Sequence, residues 1–298
     1  MNPFRQQDLV PLWDRPPDFL PLHPPAASHR WRYTDVRADL HRVAEQLDKE
    51  ASDRRVALLA NPQLAGAAAT DGLHGGLQLL LDGESAAPHR HSPSALRIGL
   101  EGAGIMTMVD DEELPLGPLD VVLNPSGTWH GHVERGRGGG LWLDVVDLPL
   151  VAALGGVFFE PTVAHQTSSL LDPPSVPTTV RYGWHDTETK LDNAPSVDGI
   201  QTVGFGDGSV MPTMAVTAHA VDAAATLQLP ASAGGSIVLI GRGTFTADDA
   251  SLDEFDVVGL RSWTSYSLRA GNQGGIVFVV DTSPALRALG LYREEPRP

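Results

Sequence analysis

Four of the eleven histidines fall in two short blocks whose spacing suits a metal site. In Gly83-Glu-Ser-Ala-Ala-Pro-His89-Arg-His91, two imidazoles stand at i and i+2. On a strand that spacing is one face, so both can reach one ion. Pro125-Ser-Gly-Thr-Trp-His130-Gly-His132 supplies a third at the end of another run that reads as a strand. Three neutral imidazoles on rigid strands leave coordination positions for substrate and oxygen or water, the arrangement of a catalytic rather than a closed structural site. A lone pair at this spacing is common on surfaces; the flanking Gly and Pro and the second block set this case apart. His23, His29, His41, His165, His185 and His219 have no partner at ligand spacing.

The elements that must position these residues read mostly as strands. Short apolar runs at Val56–Ala60, Gly76–Leu81, Ala95–Leu100, Ile105–Val109, Val121–Leu123 and Leu141–Val146 are separated by Gly, Pro, Asp and Asn, the pattern of an antiparallel barrel or sandwich. Before them, Asp35–Ala51 is predicted to be a helix, with Leu40, Val43, Ala44 and Leu47 on one face and Thr34 or Asp35 as N-cap. Residues 161–197, rich in Pro, Ser, Thr and Asp, read as a linker, and Met214–Val280 as a second strand-rich run. Two internal matches suggest duplication. Leu141–Asp147 leads into Leu148–Gly155 as Ile276–Asp281 leads into Thr282–Gly290; in each, Pro opens a short helix and Gly closes it. Leu119-Asp-Val-Val122 before Trp129 has its counterpart in Phe255-Asp-Val-Val258 before Trp263.

Composition narrows the chemistry. There is no Cys in the 298 residues, which excludes disulfides, thiolate metal sites and a cysteine nucleophile. A formal net charge of −16 argues against sequence-independent nucleic-acid binding, which needs a basic footprint. The Pro-rich start lacks a basic segment followed by an apolar run, so no signal peptide is expected. No apolar stretch approaches the roughly 20 residues needed to span a bilayer, so a cytoplasmic protein without a membrane partner is expected.

The two histidine blocks resemble the paired cupin motifs: Gly83, His89, His91 and Gly102 in the first, Pro125, Gly127 and His130 in the second. The Glu ligand of the general cupin pattern falls on Ala95, which favours a three-histidine centre. More widely, the chain is similar to the gentisate 1,2-dioxygenase-like bicupins, which include salicylate and 1-hydroxy-2-naphthoate dioxygenases. The resemblance runs through Asp53-Arg-Arg-Val56, Asn61-Pro62, Leu77-Gln78, His89-Arg-His-Ser-Pro-Ser-Ala-Leu-Arg97, Leu100-Glu-Gly102, Trp129-His-Gly-His132, Trp142-Leu-Asp144, Asp147-Leu-Pro149, Phe158-Phe-Glu160 and Ala288-Leu-Gly-Leu-Tyr-Arg-Glu294.

That resemblance implies an all-β bicupin of two jelly-roll (double-stranded β-helix) barrels with a short N-terminal helical segment. Residues 1–55 would form that segment, 56–160 a metal-binding cupin barrel, 161–197 a linker and 198–298 a second barrel without metal. It implies Fe(II) held by His89, His91 and His130, O2 as cosubstrate, and a homotetramer. His132 would be the proton donor or hydrogen-bond partner near the substrate hydroxyl, with Asp144 a supporting carboxylate. Arg54 and Arg97 would hold the substrate carboxylate, for which a planar fork of donors is suited. The implied reaction is cleavage of a hydroxylated aromatic carboxylic acid between its carboxyl- and hydroxyl-bearing carbons, gentisate first and salicylate-type analogues next.

Some readings stay open at this level. Arg97 is either a pocket residue or a solvated strand-end charge, Arg54 a pocket residue or a helix-end charge, and Asp144 a site residue or an arginine's partner in the barrel wall. Trp129 and Trp142 are read as packing residues. His74 stands where the family often has Trp, as a substrate contact or a polar barrel residue. Gly75 and Gly76 flank it, and Ala67 replaces a usual Arg. Aligned on Trp129 and Trp263, His130 and His132 face Thr264 and Tyr266, so the second barrel is expected to lack a metal. Two other function classes remain: a metal-dependent isomerase, hydrolase or lyase, and a noncatalytic small-acid binder.

Overall fold

A computed structural model describes residues 25–47, 54–110, 112–161, 180–206 and 208–295. Strands dominate, with four helices among the described residues. A six-stranded sheet runs in the order 181–182, 121–124, 95–101, 140–146, 74–80, 55–58, and a five-stranded sheet in the order 159–161, 85–91, 130–134, 105–109, 112–115. Together they enclose the first barrel. The second is one eight-stranded sheet built around Ser236–Ala247 and Tyr266–Asp281, long strands whose mutual register shifts at Ile240/Arg242 and again at Gly243/Phe245. Such shifts bend a strand sharply enough for one sheet to close on itself.

Strand alternation explains why the six-stranded sheet reads as nearly continuous apolar runs yet still lines a polar site. Leu77, Leu79, Leu96, Ile98, Leu143 and Val145 point away from the cavity into a core shared with Ile237, Leu239 and Phe278 of the second barrel. The alternate residues Gln78, Arg97 and Asp144 point into the first barrel. Both faces are therefore buried, one against the other barrel and one around the cavity. Close backbone approach fixes the composition at Gly99, where a Cβ would lie 2.0 Å from the Gly117 carbonyl oxygen.

The predicted duplication is visible in detail. Leu148–Ala153 and Ser283–Ala288 are short helices with Pro in the first turn, followed by Gly155 and Gly290 at φ of +70° each. Leu119 and Phe255, at φ +64° and +68°, both turn the chain into a buried aspartate. Asp256 accepts the Tyr33 N–H at 2.8 Å and pairs with Arg30 at 3.3 Å. Asp120 accepts the Trp184 N–H at 2.7 Å and pairs with Arg181 at 2.6 Å. Each aspartate thus caps a helix from a distant segment, where an unsatisfied first-turn N–H favours a carboxylate.

That arrangement corrects two local expectations. The N-terminal helix is Tyr33–Ala44 with Arg32 at the N-cap position, so Thr34 and Asp35 lie inside it. Its buried side chains are Tyr33, Leu40 and Ala44, whereas Val43 and Leu47 are exposed. The start is set by Asp256, 223 residues away, which no local capping pattern reveals. The stretch read as a linker contains the strand Arg181–Tyr182, which pairs with Val121 and Val122, and the helix Trp184–Asn193. Residues 162–179 of it lie outside the described residues. The strand Ser28–Trp31, in the N-terminal segment, extends the second barrel through Val257–Leu260 rather than the first.

Candidate metal centre and substrate cavity

His89 and His91 lie on Ser85–His91 and His130 on the adjacent strand His130–Glu134, where His89 and His130 are direct cross-strand partners. One nitrogen from each of these histidines lies within 4.8 Å of the others, and this is the one such three-residue cluster among the described residues. Hydrogen bonding selects which nitrogen. The Nδ1 atoms of His91 and His130 face the carbonyl oxygens of Pro93 (2.7 Å) and Thr128 (3.0 Å), and that of His89 faces Ala87 (3.3 Å). A carbonyl can only accept, so at His91 Nδ1 carries the proton and the Nε2 lone pair is left for a metal, whereas the Nδ1 atoms of His89 and His130 also stand beside donors, Arg54 NH2 at 2.9 Å and Asn124 Nδ2 at 3.0 Å. The donor set of three neutral imidazoles fits a divalent transition metal.

Burial favours that neutral state. His89 is pushed down to about 3, by desolvation first and then by the Arg54 guanidinium and the neighbouring His91. Desolvation likewise lowers His91, and lowers His130 strongly. Protons therefore compete less for the ligands near neutrality, and metal uptake by the apoprotein is expected to fall off only at a pH below the ordinary histidine value. A decline centred near the ordinary histidine value of roughly 6.5 would contradict it. The sign for stability is opposite in sense: an unfolded chain takes protons there that the fold excludes, so the metal-free fold loses stability as pH falls below that value.

Above the cluster opens a cavity of about 170 Å³, which also includes Arg54, His74, Gly75, Gly76, Gln78, Ala95, Arg97, His132 and Asp144 in its wall. All eight residues singled out from sequence therefore meet in one place; Ala67 is not among the lining residues. Arg97 is buried, its Nε 3.1 Å from Asp144 Oδ1 and its NH1 donating to Asn124 Oδ1 at 3.1 Å. Asp144 is an arginine's partner and also lines the cavity, with Trp142 Nε1 donating to it at 3.0 Å. Desolvation pulls each charge toward neutrality, lowering Arg97 and raising Asp144, against the attraction between them.

Arg54 stands 2.9 Å from His89 Nδ1. A guanidinium can only donate, so in this arrangement His89 Nδ1 accepts from Arg54. His132 lies outside the triad, buried, with Nδ1 3.2 Å from Thr107 Oγ1 and its ring 4.8 Å from that of Trp142. Trp142 is fully buried, as a packing residue should be, and Trp129 carries Arg90 over its ring at 5.2 Å. Half-buried His74 is lowered by desolvation at the outer part of the cavity.

Sequence reasoning missed Asn124, Thr107 and Gln78. Asn124 joins Arg97 to the triad, its Nδ2 3.0 Å from His130 Nδ1 and donating to Thr128 Oγ1 at 3.1 Å. The available signal was strand parity: Asn124 is in register with Ala95 on the face that carries Arg97.

Fold and site together define a bicupin with a three-histidine centre in its first barrel. The Cupin domain family model matches residues 76–146. A gentisate 1,2-dioxygenase from Ralstonia sp is 31% identical, covering 97% of this chain and 91% of its own length. A 5-aminosalicylate 1,2-dioxygenase from Comamonas sp is 27% identical over 97% of this chain and 87% of that protein. The solved salicylate 1,2-dioxygenase of Pseudaminobacter salicylatoxidans superposes with a TM-score of 0.87 at 23% identity, covering 98% of this chain and 95% of the other, a likeness of fold. The chain belongs to the gentisate 1,2-dioxygenase-like bicupin family and is a ring-cleaving aromatic dioxygenase of that type. No helix among the described residues is long and apolar enough to cross a membrane.

Proposed function

We propose that this enzyme is an Fe(II)-dependent dioxygenase that inserts both atoms of O2 into a hydroxylated aromatic carboxylic acid, cleaving the ring between the carboxyl- and hydroxyl-bearing carbons. Gentisate is the first substrate of choice and salicylate-type or substituted acids come next. The observation that carries this reading is the convergence of the His89, His91 and His130 nitrogens within 4.8 Å in a cavity that also presents Arg54 and Arg97. Fe(II) bound at the Nε2 atoms would supply the redox capacity that dioxygen needs to react with a closed-shell ring.

The remaining roles belong to the chain itself. Arg54, beside His89, and Arg97, braced by Asp144 and Asn124, orient the carboxylate through charge-assisted hydrogen bonds. His132 is neutral at physiological pH because burial holds it well below the ordinary value. With the Thr107 hydroxyl donating to Nδ1, its proton sits on Nε2, placed to hydrogen-bond a substrate oxygen and to return a proton as the ring opens. Asp144 fixes Arg97, and His74 contacts the ring's outer edge. The same reading takes residues 56–160 as the metal-binding barrel and 198–298 as a metal-free one, with a cytoplasmic homotetramer as the working form.

The test is oxygen uptake by the iron-loaded protein with gentisate, salicylate, 5-aminosalicylate and 1-hydroxy-2-naphthoate, followed by ultraviolet absorbance of the ring-fission product. Stoichiometric uptake with at least one acid is expected. No uptake with any of them would overturn the assignment.

A further inference from the structure

The second barrel keeps a cavity where the first keeps its own. The helix-opening prolines Pro149 and Pro284 set the two in register, so that Val146 corresponds to Asp281 and Asp144 to Val279. Strand pairing extends the correspondence. His74, Gly76 and Gln78, opposite Val146, Asp144 and Trp142, become Ala215, Thr217 and His219, opposite Asp281, Val279 and Val277. Ala95 and Arg97 become Ser236 and Val238. His89–His91, paired with Phe159–Pro161, becomes Ala231-Ser232-Ala233, held against residues 293–295 by two backbone hydrogen bonds of 2.8 Å.

These replacements change the chemistry without closing the space. Val238, Ile240, Val258 and Val277 fill the inside of the second barrel with apolar core. Beside them remains a cavity of about 200 Å³, into whose wall Thr217, Ser232, Ser236 and Ser283 bring hydroxyls and Asp281 and Glu294 bring carboxylates. No lysine or arginine lines it among the described residues, and no second three-residue metal cluster occurs among them. His219, also in the wall, is pushed down to about 4 by burial. Its Nδ1 and Nε2 are each 2.9 Å from a hydroxyl, of Thr202 and Thr217 respectively, so it adds no positive charge. Asp281 is fixed by the Ser283 N–H, which donates to Oδ1 at 2.7 Å and leaves Oδ2 for a ligand. An aromatic acid does not suit this wall, which lacks the cation that a desolvated carboxylate needs. Carboxylate oxygens only accept, while hydroxyls accept and donate. The matching ligand therefore presents several donors and no negative charge. A polyol does both, whereas a simple ammonium would leave the hydroxyls to water.

We propose that the second barrel binds a small uncharged polyhydroxyl compound of monosaccharide size in this cavity, its hydroxyls donating to Asp281 and Glu294 and bonding with Ser232, Ser236 and Ser283. Hydrogen bonds to charged acceptors are the stronger ones, and one carboxylate can take two neighbouring hydroxyls at once. The site is separate from the metal centre and does not depend on the aromatic-acid reading. The second copy of the barrel carries neither the histidine pair nor the arginine of the first, yet it keeps the opening and relines it for a different ligand.

The test titrates the full chain with glucose, myo-inositol and ethanolamine, followed by saturation-transfer NMR, for wild type, Ser236→Leu and Asp281→Asn. At least one of the two polyols is expected to bind the wild type in preference to ethanolamine. Ser236→Leu places an aliphatic side chain in the cavity and should abolish that binding. Asp281→Asn keeps an acceptor for the Ser283 N–H but loses the charge, and should weaken binding about tenfold, the scale of a hydrogen bond to a charged group; it reads the same site should Ser236→Leu fail to fold. No binding of either polyol by the wild type, binding that Asp281→Asn leaves unaltered, or a preference for ethanolamine would overturn the proposal. Ring cleavage by the wild type bears on the functional reading alone, so the two can fail separately.

Discussion

His130→Ala is expected to abolish stoichiometric iron binding and to lower ring-cleaving turnover by at least about three orders of magnitude, the scale of the several kcal/mol a catalytic metal contributes. The triad is compact, with ring centroids 4.1 Å apart for His89 and His130, 4.7 Å for His91 and His130, and 5.3 Å for His89 and His91. His130 is closely surrounded, with the Thr128 carbonyl oxygen and Asn124 Nδ2 each 3.0 Å from its Nδ1. Removing it leaves two ligands and unseats Asn124, so neither affinity nor orientation survives. Metal content by atomic absorption, with oxygen uptake on the same preparation, checks this; retention of one iron per chain would refute the ligand assignment. Circular dichroism should remain that of the wild type, because the change is confined to the cavity wall.

Arg97→Leu should act on stability and activity together. Arg97 and Asp144 are a buried pair, and deleting one partner strands the other, a loss on the order of 3–5 kcal/mol. Turnover should fall as well, since the substrate carboxylate loses a planar donor. The two effects separate in the double variant Arg97→Leu/Asp144→Leu. Denaturant melts should recover most of the lost stability, because an apolar pair can replace a buried ion pair at little cost, while activity stays low. Recovery of activity along with stability would show that the pair matters only to the fold.

On the proposed reading, the negative charge of the chain would not oppose an anionic substrate at this site. Surface repulsion is screened over roughly 8 Å at physiological salt, whereas Arg54 and Arg97 line the cavity and would act at contact distance.

Much of the first barrel was legible in the residues alone. The runs Ala95–Leu100, Ile105–Val109 and Leu141–Val146 correspond to the strands Ala95–Glu101, Ile105–Val109 and Gly140–Val146. The spacing of His89 and His91 predicted a shared face because side-chain direction along a strand alternates, a local rule that needs no tertiary context. Proline and glycine punctuation likewise marked both short helices. The helix start at Tyr33 and the structured part of 161–197 were not legible, because their caps are Asp256 and Asp120, contacts made across the chain.

What the sequence by itself determined is thus the inventory and the periodicity: strands with alternating faces, three imidazoles able to meet, and no thiols. Only the tertiary structure decided which polar side chains on those faces stay unsatisfied and which find partners. Arg97 acquires a hydrogen bond from its NH1 to Asn124 and an ion pair with Asp144, whereas its Nε and the Gln78 Nε2 have no hydrogen-bond partner. The physical reason is that a hydrogen bond depends on positions within a few tenths of an ångström between strands far apart in the chain. Local propensity sets a residue's face; only sheet register and closure of the barrel set its partner.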